Sequence, residues 1–89
     1  MHTKSNKDLL ARIRRIAGQV AAIEKAIEGD AGCSAILHQV AGVRGAVRGL
    51  MDQLIEDHVR EHVAKPGLSD RQRSEGAEEL VDAVRQYTK

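Results

Sequence analysis

Apolar residues recur at helical spacing along nearly the whole chain, in three segments. From Asn6 to Glu28 they fall at Leu9, Ile13, Ile16, Val20, Ile23 and Ile27. The steps alternate four and three, which makes a heptad seam. A second segment carries Ile36, Leu37, Val40, Val43, Val47, Leu50, Met51, Leu54 and Ile55, again one face of a helix. A third holds Ala77, Leu80, Val81, Val84 and Tyr87. No segment reads as a strand, and there are no internal repeats. The pattern predicts an all-α chain with helices over residues 6–28, 31–64 and 69–87, after a flexible arm at 1–4.

Residues at the segment ends agree with these bounds. Ser5 followed by Asp8, and Ser69 with Gln72, read as capping boxes. Gly29, Asp30 and Gly32 end the first helix, and Asp30 is placed to cap the second. Lys65, Pro66 and Gly67 stop the second helix. Between Cys33 and His62 there is no proline, so one continuous rod of roughly 30 residues, about 45 Å long, is expected. Gly42, Gly45 and Gly49 lie within that rod. Each costs about 1 kcal/mol relative to alanine in a helix interior. They imply a tight helix crossing, with a kink as the alternative.

Size changes the picture. A chain of 89 residues makes one domain, 1–89. A compact globule of that length is roughly 30 Å across, shorter than the rod. The apolar stripe therefore needs cover from another subunit. Tyr87 is the single aromatic residue, so the core must be aliphatic, which suits helix seams. A helical oligomer is expected rather than a monomer.

Charge adds a partner. The 14 basic and 13 acidic residues nearly cancel, but Lys4, Lys7, Arg12, Arg14 and Arg15 crowd the start against Asp8 alone. Such asymmetry points to an anionic partner, although a solvated helix face explains the charge equally well. One cysteine excludes an internal disulfide framework and fits a reducing cytoplasm. No apolar run approaches the roughly 18 residues of a membrane span, and MHTKSNKD lacks the apolar core of a signal peptide. A cytoplasmic protein without membrane contact is expected.

Candidate chemistry sits at the two ends of the rod. His58 and His62 are four apart, so their Cβ atoms lie about 5–6 Å apart on one face, a spacing at which two imidazoles can share one metal ion. A zinc-protease motif needs glutamate directly after the first histidine, and Val59 stands there. Cys33 opens the same helix, and the thiolate is the form of cysteine that ligates metals. The bland alternative is a small buried hydrophobe. The length of the rod separates Cys33 from both histidines, so a site holding all three needs a second, antiparallel chain. His2 and the Met1 α-amine on the arm are further nitrogen donors. His38 reads as a surface or interface histidine. No nucleophile–base–orienter set is present, so an enzyme is not expected.

The segments LLARIRRIAGQVAAIEKAI, CSAILHQVAGVRGAVRGLM and IEDHVREH, in that order across residues 9–64, resemble the copper-sensitive operon repressor (CsoR) family. These are small all-helical bacterial transcriptional repressors. The RIxGQ and CxxxLxQxAxxRGAxxGLM stretches carry the resemblance most specifically. It implies a three-helix protomer, an antiparallel dimer with a four-helix core, and a disc-like homotetramer made as a dimer of dimers. It also implies an inducer site shared between protomers, with Cys33 from one and His58 and His62 from the other.

Branches of the family differ at the position of His62. Copper-responsive members have a second cysteine there, and persulfide-sensing members also need two cysteines. Imidazole in place of thiolate shifts preference toward Ni(II), Co(II) or Zn(II). The nickel/cobalt-responsive branch resembles this chain best, with His2, Cys33, His58 and His62 as the implied ligand set. The arm is one residue shorter here, so His2 falls out of register with the branch's N-terminal histidine. The formaldehyde-responsive branch comes next. It shares Cys33 and His58 but uses an N-terminal proline amine and usually has glutamate at the position of His62. For operator DNA the resemblance implies a flat basic face to which Arg12 and Arg15 correspond, with Lys7 and Arg14 as additions. No helix-turn-helix is recognisable. The expected function is a repressor that releases its operator on binding Ni(II) or Co(II), with Zn(II) as a further candidate. The alternatives are a formaldehyde-responsive repressor, a metal-storage bundle and a purely structural oligomer.

Overall fold

The computed structural model describes residues 3–89, with side chains from Asn6 onward. They form α1 (Thr3–Glu28), α2 (Cys33–His62) and α3 (Asp70–Tyr87), with no strand among the described residues. The described residues are all-α with three helices, as the periodicity predicts.

The helix ends correct several details. α1 begins at Thr3, so Thr3 and Lys4 are helical rather than part of an arm, and Ser5 lies inside the helix rather than at its cap. At the other end of α1, the Ala31 amide donates to the Ala26 carbonyl at 2.9 Å and the Asp30 amide to the Ile27 carbonyl at 3.1 Å. That pair of bonds is a Schellman closure, whose pivot residue must be left-handed. Asp30 takes that position with φ 57°. It therefore closes α1 instead of capping α2. The Gly32 carbonyl starts α2, accepting from the Ala35 amide at 3.1 Å and the Ile36 amide at 3.3 Å.

α2 ends at His62, where the Val59 carbonyl accepts from both the Val63 and Ala64 amides. Gly67 then turns the chain with φ 87°, a conformation cheap only for glycine. Ser69 caps α3 as expected. Its hydroxyl accepts from the Gln72 amide at 3.1 Å, and the Gln72 side chain accepts from the Ser69 amide at 2.9 Å. Asp70 in the first turn and Arg85 in the last suit the helix dipole.

The described residues fall into two compact units, one ending at Met51 and the other Asp52–Lys89. In the first unit the seam of α1 splits in two. Leu9 and Ile23 are half-buried, and Ile16, seven from each, is the one buried large apolar side chain among the described residues. Ile13, Val20 and Ile27, also seven apart, are exposed. The first part of α2 divides the same way. Ile36, Val43 and Leu50 are half-buried, while Leu37, Val40 and Val47 are exposed. Each helix thus carries one stripe partly covered within the chain and one left bare.

The expected tight crossing at the three glycines is not found within the chain. A Cβ on Gly42 or Gly45 would have nothing within 4 Å. Only Gly49 meets a neighbour, with Arg12 Nη1 lying 3.2 Å from where its Cβ would be. α2 is nonetheless an unbroken helix of 30 residues. The close approach lies in the second unit instead, at Gly76.

Candidate metal centre and basic face

The second unit is built around the last turns of α2 and the first turns of α3. Gly76 is buried, and a Cβ there would overlap the His62 carbonyl oxygen and lie 2.9 Å from the His62 Cβ. Only glycine lets the two backbones meet this closely. Arg73, one turn earlier on α3, donates from its guanidinium to the Val63 carbonyl. This satisfies one of the carbonyls just beyond the end of α2, which have no helical partner of their own. α3 therefore grips the turn that carries both histidines.

The rings of His58 and His62 lie 4.8 Å apart between centroids, tilted by 41°. His58 Nε2 is 2.8 Å from the Gly76 carbonyl oxygen. A carbonyl can only accept, so Nε2 donates and a neutral His58 keeps its free lone pair on Nδ1. Glu79 Oε2 stands 3.7 Å from the same Nε2, and Glu61 Oε2 stands 3.8 Å from His62 Nε2. The His58 side chain is mostly covered, at 24% exposure, whereas His62 is half open at 53%. Among the described residues no group of three or more His, Cys, Asp or Glu is arranged to hold a metal ion. The pair fits a borderline divalent metal as part of a donor set: two imidazoles on one face, one with its far nitrogen already engaged, as ligating histidines usually are.

Cys33 is the first residue of α2 and is exposed. It belongs to the other compact unit. His38 is exposed as well. His2 lies outside the described residues. Sequence reasoning missed Gly76, Arg73 and Glu79. One signal was available, since an isolated glycine inside a helical pattern costs about 1 kcal/mol relative to alanine.

On α1, Lys7, Arg14 and Arg15 are exposed and Arg12 is half-buried, its guanidinium resting near Gly49. Lys7 and Arg14, seven apart, share one face of the helix, and Arg12 and Arg15, three apart, share another. The basic residues thus wrap the helix rather than forming a single line.

Residues 5–86 match a family model described as metal-sensitive transcriptional repressor. The class is therefore an all-helical transcriptional regulator. More specifically, the chain belongs to the metal-sensitive transcriptional repressors, a family that is regulatory and acts on operator DNA. It is 51% identical over 89 residues to the "uncharacterized protein in bioA 5′ region" of Serratia marcescens, covering 99% of this chain and 98% of that one. It is 37% identical to the transcriptional repressor RcnR of Salmonella arizonae, with the same coverage. Among solved structures, it superposes with a TM-score of 0.91 on a glutamate-to-histidine variant of the formaldehyde-responsive regulator FrmR from Salmonella enterica serovar Typhimurium. That match is 40% identical and covers 97% of both chains. No helix among the described residues is long and apolar enough to cross a membrane.

Proposed function

We propose that this repressor answers Ni(II) or Co(II), with Zn(II) as a weaker candidate, at a site shared between two chains. The observation that carries the reading is the histidine pair at the end of α2, with rings 4.8 Å apart and His62 half open. Cys33 of a second chain supplies the thiolate, and His2 or the Met1 amine supplies a further nitrogen. A 30-residue helix is about 45 Å long, so a cysteine at its first residue reaches a histidine at its last only from a neighbouring, antiparallel chain. Imidazole beside a single thiolate suits divalent nickel, cobalt and zinc better than Cu(I), which prefers two soft sulfurs. A bound ion there would supply the positive centre that draws these groups together.

The bare stripes support the oligomer this needs. Ile13, Val20 and Ile27 on α1 and Leu37, Val40 and Val47 on α2 are covered in a dimer of dimers. Asp57 Oδ2 is buried without a hydrogen-bond partner, a cost of roughly 1–3 kcal/mol that donors from a second chain remove. In the apo tetramer Arg12, Arg14, Arg15 and Lys7 hold operator phosphates, so binding falls steeply with salt. Gathering Cys33, His58, His62 and the arm at one point shifts α1 and its basic residues. A typical coupling of 1–3 kcal/mol lowers operator affinity about 5–150-fold.

The likeness to FrmR favours a second reading, in which Cys33 and the N-terminal amine capture formaldehyde and His62 has no part. One titration separates them. Operator-bound protein is exposed in turn to Ni(II), Co(II), Zn(II), Cu(I) and formaldehyde, and release is followed by fluorescence anisotropy. Release by nickel or cobalt that is lost in His62→Ala upholds the metal reading. Release by formaldehyde alone, unchanged in His62→Ala, overturns it.

A further inference from the structure

Gly76 touches both members of the histidine pair, yet it has no side chain to offer a ligand. Its missing side chain admits the His62 backbone to a distance at which any Cβ would overlap the carbonyl oxygen. Its own carbonyl accepts from His58 Nε2 at 2.8 Å. Arg73, three residues earlier on α3, bonds the Val63 carbonyl just past the end of α2, and the Ser69–Gln72 capping box fixes where α3 begins. These contacts set the height of α3 against the histidine turn.

We propose that Gly76 is a positioning residue of the inducer site: the absence of a side chain seats α3 on the His62 backbone, and the Gly76 carbonyl then holds His58 in the Nε2–H form. The proposal rests on the reading that His58 and His62 receive the inducer. Its physical content is that α3, which supplies no ligand, decides which imidazole nitrogen faces the ion. Any side chain at this position lifts α3 away from His62 and stretches the 2.8 Å bond; Glu79, whose Oε2 stands 3.7 Å from the same nitrogen, is carried off on the same helix, and the His58 ring is freed to rotate and to exchange tautomers. Losing an outer partner of a ligating histidine typically weakens metal binding 10–100-fold.

The test begins with the unaltered apo tetramer. Long-range ¹H–¹⁵N NMR of the histidine rings reports the tautomer of His58. The expected result is a single Nε2–H form whose proton is hydrogen-bonded; a predominant Nδ1–H form overturns the proposal whether or not any variant folds. Gly76→Ala is then compared with the parent protein. The expected result is a mixed His58 tautomer and Ni(II) or Co(II) affinity lowered 10–100-fold, with apo operator binding retained. A Gly76→Ala protein with the parent's tautomer and affinity overturns it. His58→Ala distinguishes the failures. If that variant keeps full metal affinity, the reading of the site is wrong, whereas a silent Gly76→Ala beside a damaged His58→Ala removes only the role of Gly76.

Discussion

Replacing Leu37 with alanine tests the assembly on which the shared site depends. Leu37 is the most exposed large apolar side chain among the described residues, at 63%, and it lies one turn from Cys33 on α2. Full burial of a leucine is worth about 1.5–3 kcal/mol. The exposed 63% therefore represents about 1–2 kcal/mol that only another chain can recover. A symmetric dimer uses each residue twice, so Leu37→Ala removes about 2–4 kcal/mol from association. At 1.4 kcal/mol per decade, the dimer dissociation constant rises roughly 30- to 700-fold. The folded protomer loses little, because the side chain is already bare within the chain. Sedimentation velocity across a dilution series reads the constant, with Gln86→Ala on the exposed face of α3 as control. An unchanged constant in Leu37→Ala would show that this stripe is not the interface and would remove the argument for a site between chains.

The other expectations concern the ligands, the DNA face and the helix ends. Cys33→Ala should bind operator as the parent does but fail to release it with inducer, whereas Arg15→Ala should lose operator affinity and keep inducer binding; operator anisotropy with and without metal reads the first, and a metal titration of the free protein reads the second. Arg14→Ala and Lys7→Ala should each lower the slope of log affinity against log salt by about 1, and an unaltered slope would take that residue off the phosphate-binding face. Ser69→Ala removes the hydroxyl of the α3 capping box and should cost about 0.5–2 kcal/mol, seen as a lower melting temperature at fixed protein concentration. Asp30→Gly relieves the left-handed strain at φ 57° and should raise the melting temperature by a few degrees, for a gain of roughly 1 kcal/mol, whereas Asp30→Val should lower it.

Three helices and the pairing of His58 with His62 could be read from residue order alone. Helical period and turn chemistry are local properties, and four residues of helix place two side chains together whatever surrounds them. The Ser69–Gln72 cap was legible for the same reason. The start of α1 was not, because a capping signal at Ser5 does not stop a helix from extending upstream to Thr3. Asp30 closes α1 rather than capping α2: the same residue type serves as an N-cap or, less often, as a left-handed closure, and only the bonds from Ala31 and Asp30 back to α1 decide between them. The heptad seam did not say which of its positions the chain would cover itself. Leu9, Ile16 and Ile23 became inner, and Ile13, Val20 and Ile27 outer, only when α1 met the first half of α2. Likewise Gly42 and Gly45 suggested a crossing that lies open, while the contact formed at Gly76, eighteen residues from His58. Which backbone a glycine admits depends on where a distant helix comes to rest, and no local pattern encodes that distance.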